Sequence, residues 1–275
     1  MAQAQAGLNF VAHAGARIAW QAQGPADRPA LLLANSLGSD MGSWDAVVGL
    51  LADQFRVIRY DARGHGASTL EASARGVDYA MELLARDALA VADAAGAARF
   101  HFAGVSIGGM IGMWLGRNAA PRLDRLVLSN TAARLPTQVW ADRIAVVKAS
   151  GLASQVDATM QRWFTPAFHA QAVEQSEAQA VIARARATFL NVDVDGYLGC
   201  AAAVRDMDQR GDLPGIAVPT LVITGRYDPS TPPELGQEIA ARVPGANCVE
   251  LPLAHMPQLE QPGDFVGVVR GFLGG

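Results

Sequence analysis

Lysine is almost missing from this 275-residue chain: of 22 basic residues only Lys148 is a lysine, and the arginines are scattered rather than clustered. With 26 acidic residues the formal net charge is −4. Such a balance lacks the basic field that nucleic acid or an anionic membrane surface calls for. Cysteine is scarce too. Cys200 and Cys248 cannot make a disulfide framework, and neither has a soft ligand close by in sequence, so both read as inert thiols in a reducing compartment. The uncharged stretch 103–116 is too short and too glycine-rich to cross a bilayer. Residues 1–10 show no basic segment leading into an apolar one, so no secretory signal is expected. Repeats, low-complexity tracts and long linkers are not seen. The expectation is a soluble, cytoplasmic protein.

Apolar residues, by contrast, are plentiful. They make up 51% of the chain against 17% charged, with a mean hydropathy of +0.15. That composition can bury a large core and excludes a disordered chain. Short apolar runs alternate with longer helical patterns, which predicts an α/β architecture with a mostly parallel sheet. Eight strands are expected at 8–14, 17–21, 30–34, 56–60, 100–103, 125–129, 220–224 and 248–251, the first two as an antiparallel hairpin. Helices are expected at 43–52, 79–95, 107–118, 233–243 and 262–272. The stretch 134–210 breaks the rhythm, with helical patterns at 139–150, 155–164, 171–188 and 194–205 and no convincing strand. It reads as a helical cap inserted into a core made of 1–133 and 211–275.

Chemistry first shows in Phe100-His101-Phe102-Ala103-Gly104-Val105-Ser106-Ile107-Gly108-Gly109. A strand runs directly into a helix with G-x-S-x-G at the junction. A serine on such a tight turn projects its hydroxyl clear of the backbone, and small residues two before and two after it make the turn possible. The following helix directs free N–H groups at the site, where an oxyanion would develop.

A serine hydroxyl needs an imidazole to take its proton and an acid to orient that imidazole. Asp228 lies four residues past the strand 220–224, and His255 four past the last strand. They are the acid and base that fit the order Ser, Asp, His of the α/β-hydrolase arrangement. His13 and His65 precede the serine, His101 lies in its own strand, and His169 lies in the helical insertion. His65, within Arg63-Gly64-His65-Gly66, is expected to brace a loop. Asp206, Asp208, Glu250 and Glu260 follow no strand at a glycine turn. The histidines lack metal-ligand spacing. Two backbone donors for an oxyanion are expected from Ile107 and from Leu37, in the loop Asn35-Ser36-Leu37-Gly38.

Taken together, these segments resemble the 3-oxoadipate enol-lactonases of the β-ketoadipate route for aromatic breakdown. The resemblance rests on Ala34-Asn35-Ser36-Leu37-Gly38, Trp44-Asp45 and the run from Arg59 through Asp61-Ala62-Arg63-Gly64-His65-Gly66 to Ser68. It continues in Gly108-Gly109-Met110, Ser129-Asn130-Thr131-Ala132-Ala133, Arg162-Trp163-Phe164-Thr165 and Arg205-Asp206-Met207-Asp208. It ends in Asp228-Pro229-Ser230-Thr231-Pro232-Pro233 and Ala254-His255, covering the chain from about Gly15 onward. The elbow and the late Asp and His are common to many α/β hydrolases, whereas the cap segments and Asn35-Ser36-Leu37 carry the narrower match.

The resemblance implies acyl transfer through Ser106, needing neither metal nor cofactor, on a small lactone that carries a carboxylate. Arg134, Arg162 and Arg205 are then candidates to grip that carboxylate, with Arg134 preferred because it stands where the cap begins. Trp140 and Trp163 are candidate walls of the pocket. A general carboxylesterase or carbon–carbon bond hydrolase on the same residues stays open, as does a binding protein that kept the fold. A cap arginine facing Ser106 would separate the lactone hydrolase from the general esterase.

Overall fold

The computed structural model describes residues 7–274. Most of the N-terminal stretch read for a signal, residues 1–6, lies outside the described residues. The chain opens with β1 (Asn9–His13) and β2 (Ala16–Gln23), a hairpin whose turn places Ala14 and Gly15 at positive φ. Then follow β3 (Ala30–Ala34), α1 (Asp45–Leu51), β4 (Arg56–Tyr60), the two-residue β5 (Thr69–Leu70) and α2 (Met81–Ala94). The middle of the chain is β6 (Phe100–Val105), α3 (Ile107–Asn118) and β7 (Leu123–Ser129).

Between β7 and β8 the chain runs through α4 (Thr137–Ser150), α5 (Val156–Trp163), α6 (Pro166–Gln171), α7 (Glu177–Leu190) and α8 (Val194–Asp206). It finishes with β8 (Thr220–Gly225), α9 (Pro233–Arg242), β9 (Asn247–Leu251), α10 (Pro257–Glu260) and α11 (Pro262–Leu273). Among the described residues no helix is long and apolar enough to cross a membrane.

The strands form one sheet in the order β1-β2-β4-β3-β6-β7-β8-β9, with β5 against β2. From β4 onward the neighbours are parallel; β1, β2 and β5 pair antiparallel. All eight expected strands are present. The ninth, β5, has only two residues and therefore no side-chain periodicity to announce it. β6 is buried along its whole length, as a strand covered on both faces by helices must be. Each such Leu, Val or Phe contributes about 1.5–3 kcal/mol relative to exposure.

From β3 the chain moves to β4 on one side, yet β6 lies on the other. The carboxyl ends of β3 and β6 are thus neighbours at a topological switch point, where open α/β sheets leave a crevice.

The helix expected at 171–188 begins later, at Glu177, because Ser176 caps α7 by accepting the Gln179 N–H at 3.1 Å; the short α6, which ends at Gln171, is a helix that the sequence pattern does not announce. Ahead of it, Thr165 caps α6 by accepting from Phe168, with Pro166 in the first turn. Both caps satisfy N–H groups that an uninterrupted helix would not have had to expose.

Candidate active site

Ser106 sits at φ 60° and ψ −120°, conformational territory that costs a non-glycine residue about 1–3 kcal/mol. Neighbours hold it there. Its N–H donates to the Ser129 carbonyl at 3.0 Å, and its own carbonyl accepts the Thr131 hydroxyl at 2.7 Å. The two glycines of the motif are steric necessities. A Cβ on Gly104 would lie 2.2 Å from the Gly108 carbonyl carbon, and one on Gly108 would lie 2.4 Å from the Ala34 carbonyl oxygen. β3, β6 and α3 close to these distances only because both positions lack a side chain.

Asp228 and His255 come together on the loops after β8 and β9. His255 Nδ1 is 2.8 Å from Asp228 Oδ2, and both residues are buried. The same oxygen accepts the Thr231 hydroxyl at 2.7 Å and the Asn130 amide at 3.1 Å. The other oxygen accepts backbone N–H groups of Ser230 and Thr231 at 2.8 and 3.1 Å. Burial pushes this carboxyl up, but the His255 charge and hydrogen bond, with the Thr231 donors, outweigh it and hold it below the usual carboxylate range. Asn130 is a residue the sequence reading did not single out for a role. It stands at φ 47° and joins Asp228 to the Ala254 carbonyl at 2.9 Å, next to His255.

Ser106 and His255 both line a cavity of about 40 Å3, with Ser36 and Leu37 on one wall and side chains of α4, α5, α7 and α8 on the other. The N–H groups of Leu37 and Ile107 have no acceptor among the described residues, whereas the next loop amides are taken. Gly38 N–H donates to His65 Nε2 at 3.1 Å, and Met41 N–H to Asp61 Oδ1 at 2.7 Å. His65 is 1% exposed and its Nδ1 lies 3.1 Å from the Arg63 carbonyl, so it bridges two backbones in neutral form. Burial pulls it down to about 4. Asp61 also holds Ala67 N–H at 2.8 Å, and burial pushes its carboxyl up to about 6. The Asp61-to-His65 segment therefore braces the loop that carries Leu37.

The arginines of residues 134–210 sort differently from the expectation. Arg162 lines the cavity with Ser106, donating to the Thr159 hydroxyl at 3.1 Å. Arg134 does not line it: its side chain is half exposed, 3.8 Å from Asp208, in an isolated bridge between those two residues. Arg205 is likewise elsewhere, on the outer side of α8, paired with Asp78 at 2.8 Å and Asp206 at 2.6 Å. Both are corrected to surface ion pairs, because carboxylates nearby in the fold claim them. In their stead stands Arg143, which the sequence reading missed. Its guanidinium lies 4.8 Å from the Trp140 ring centroid. Trp140 is an expected wall, and a residue three positions along the same helix shares its face; that spacing is the available signal.

Arg143 and Arg162 thus face one small chamber, and neither has a carboxylate partner among the described residues. Burial, then the like charge of Arg143, pull Arg162 down from 12.5 to about 10, so it keeps its proton at neutral pH. The buried Tyr197 phenol lines the same chamber; burial pushes it up while both guanidiniums pull it down. Trp140 and Trp163 both border the chamber.

Comparison with known proteins gives the family. A family model described as the alpha/beta hydrolase fold matches residues 29–262. The chain is a member of that family. The 3-oxoadipate enol-lactonase 1 of Acinetobacter baylyi is 32% identical over 260 residues, covering 94% of each chain. Among solved structures, a hydrolase from Pseudomonas aeruginosa superposes with a TM-score of 0.90 at 41% identity, covering 98% of both chains. The enol-lactonase from Burkholderia xenovorans also gives 0.90, at 35% identity, covering 97% of this chain and all of that one. Within the α/β hydrolases, the chain belongs to the family of the enol-lactonases.

Proposed function

We propose that this protein is a serine hydrolase that opens the ring of a small anionic enol-lactone, 3-oxoadipate enol-lactone, to give 3-oxoadipate in the β-ketoadipate pathway. The observation that carries the substrate class is the pair Arg143 and Arg162. Two guanidiniums without carboxylates, turned into the chamber that holds Ser106 and His255, are unfavourable until an anion arrives between them. A neutral-ester enzyme has no use for them there, and a pure binding protein has no use for the hydrogen-bonded Asp228–His255 pair beside a strained serine.

In this reading Ser106 Oγ attacks the lactone carbonyl as His255 takes its proton, while Asp228 fixes the imidazole tautomer and steadies its positive charge. Leu37 and Ile107 N–H groups receive the oxyanion. Collapse expels the enol oxygen, protonated from His255, and leaves an ester on Ser106. Water then attacks that ester with His255 again as base, and the acid departs. Arg143 and Arg162 hold the free carboxylate away from the reacting carbon throughout. Residues 134–210 act as the cap. The 40 Å3 chamber has room for about three waters at the ~10–15 Å3 each requires, so cap side chains shift to admit a lactone.

Steady-state hydrolysis of 3-oxoadipate enol-lactone beside a neutral aryl ester, with Ser106→Ala as control, tests this. The expected result is a kcat/KM at least about a hundredfold higher for the lactone, abolished by loss of the serine. Cleavage of the ester alone would leave the triad reading standing and remove the lactone.

A further inference from the structure

Beside the 40 Å3 chamber lies a second cavity of about 440 Å3, at the junction of the first turn of α1, the helices α6 and α7, and the chain around α10. Among the described residues Trp163 alone lines both. To either side of the indole the same elements line the two cavities. The loop after β3 turns Ser36 and Leu37 inward and Ser39 and Asp40 outward; α7 gives Phe189 to the inner side and Ala185 to the outer. The indole is 3% exposed and meets the Phe189 ring edge-on, centroids 6.2 Å apart. Phe189 is itself backed by Gly38, where a Cβ would lie 2.5 Å from the ring. Met256 N–H donates to the Trp163 carbonyl at 3.1 Å, so the backbone beneath the indole is tied to the loop that carries His255.

The two sides differ in charge as well as in size. The inner chamber has two guanidiniums and no carboxylate. The outer one has Asp40, Asp45, Glu177 and Glu260 against Arg184, which Asp45 already pairs at 2.6 Å, over an apolar floor that includes Phe168, Val181 and Leu259. An anion is favoured inside and disfavoured outside, while an uncharged alkyl chain fits the outer space.

We infer that Trp163 is a partition that confines the reaction to short acyl groups by shutting the Ser106 chamber off from an adjoining cavity suited to neutral alkyl chains. This rests on reading Ser106 as the nucleophile, and it assigns Trp163 the role of setting substrate length.

Three p-nitrophenyl phosphonates test it: an ethyl one, an octyl one, and an octyl one ending in a carboxylate. In each, Ser106 Oγ bonds to phosphorus as p-nitrophenolate leaves and the serine proton passes to His255, so intact-protein mass reads the adduct. In the wild type the ethyl probe is expected to label at least about tenfold faster than the octyl. In Trp163→Ala the octyl-to-ethyl ratio should rise at least about tenfold, with the neutral octyl outpacing its carboxylated counterpart. Adding Ala185→Trp, which refills the outer cavity, should cancel that gain; Ala185→Trp alone should leave the wild-type ratio as it was. Trp163→Leu repeats the measurement with a side chain that keeps the site apolar, should the alanine variant not fold. Equal labelling of the wild type by ethyl and octyl probes, or an unchanged ratio in a folded Trp163 variant, overturns the partition alone. A wild type labelled by neither probe, or a Ser106→Ala protein labelled as fast as it, overturns the nucleophile and the partition with it.

Discussion

Replacing Arg162 by methionine should weaken the enzyme and strengthen the protein at once. The guanidinium is half buried, has Thr159 as its hydrogen-bond partner, and is pulled down to about 10 by burial and by Arg143. In the free enzyme it is a desolvated charge beside a like charge, so an apolar side chain of similar length relieves the fold of both penalties. A gain of about 1 kcal/mol corresponds to ~2–4 °C in Tm for a chain of this size. On the substrate side the same group is worth a charge-assisted hydrogen bond, ~1.5–3 kcal/mol, and each ~1.4 kcal/mol is tenfold. The kcat/KM for the anionic lactone should fall about ten- to a hundredfold, chiefly through KM, because the carboxylate is held equally before and during ring opening. A neutral aryl ester should change by no more than about threefold. Thermal melts and paired kinetics on the two substrates read all three quantities. Parallel losses on lactone and ester would refute the carboxylate-binding argument, and a Tm lowered by several degrees would show that Arg162 is holding the cap together instead.

Asp228→Asn should lower kcat by ~10⁴ by favouring the wrong His255 tautomer, and lower Tm as well, because an amide whose NH2 faces His255 keeps its oxygen only for the Ser230 and Thr231 N–H groups; melts and kcat together check it. Gly108→Ala, whose new Cβ would meet the Ala34 carbonyl oxygen at 2.4 Å, should cost about 3 kcal/mol or more in urea denaturation. The acid limb of stability has two opposing parts. His65 is neutral when folded and titrates near 4, so its contribution is complete above 6.5 and is lost as pH falls toward 4, by about 3 kcal/mol. Asp61 titrates near 6 when folded and near 3.8 when not, so its protonation adds stability over much the same window. Wild-type stability should therefore be nearly flat between pH 6 and 4.5, and the deficit of His65→Gln seen at pH 7 should shrink on acidification; denaturation midpoints at pH 7, 5.5 and 4.5 measure it.

The parts of the molecule readable from the chain are those where chemistry is local in sequence. β3 and β7 carry continuous apolar runs, and the Ser106 elbow needs glycine at two fixed offsets after its strand, so strand, turn and helix are announced together. Asp228 and His255 are legible because each follows a strand by a fixed short loop. The cap is different. Whether Arg134, Arg143, Arg162 or Arg205 faces the serine depends on how α4, α5 and α8 are rotated, and arginine at the end of a strand looks the same whether it meets substrate or Asp208. β5 is too short for any period. The start of α7 at Ser176 is a cap signal inside an otherwise helical pattern. The outer cavity has no sequence signature at all, since it is bounded by side chains drawn from four separate segments and exists only where they fail to meet.

Glu260 joins the cap to the loop that carries His255, and its substitution separates two roles of that loop. Its carboxylate is buried and accepts the Thr165 hydroxyl and, at 3.3 Å, the Thr165 N–H from the cap, together with the Ala254 N–H at 3.1 Å. Thr165 follows Trp163 and Phe164, and Ala254 precedes His255, so one side chain fixes the start of α6 relative to the base. A glutamine has one acceptor oxygen where the carboxylate has two, so Glu260→Gln must leave either the Thr165 side or the Ala254 side unmet. An unmet buried donor costs about 1–3 kcal/mol, so Tm should drop by several degrees in either case. Kinetics distinguish which side is lost. If the amide keeps Thr165 and releases Ala254, His255 loosens against Asp228 and kcat falls with KM little changed. If it keeps Ala254 and releases Thr165, the cap loosens and KM for the lactone rises with kcat preserved, because Arg162 travels with Trp163 at the end of α5. Intact kinetics in a protein destabilised to that extent would refute any mechanical link between cap and base. If residues 134–210 move to admit substrate, the shared carboxylate carries that motion to the residue next to His255.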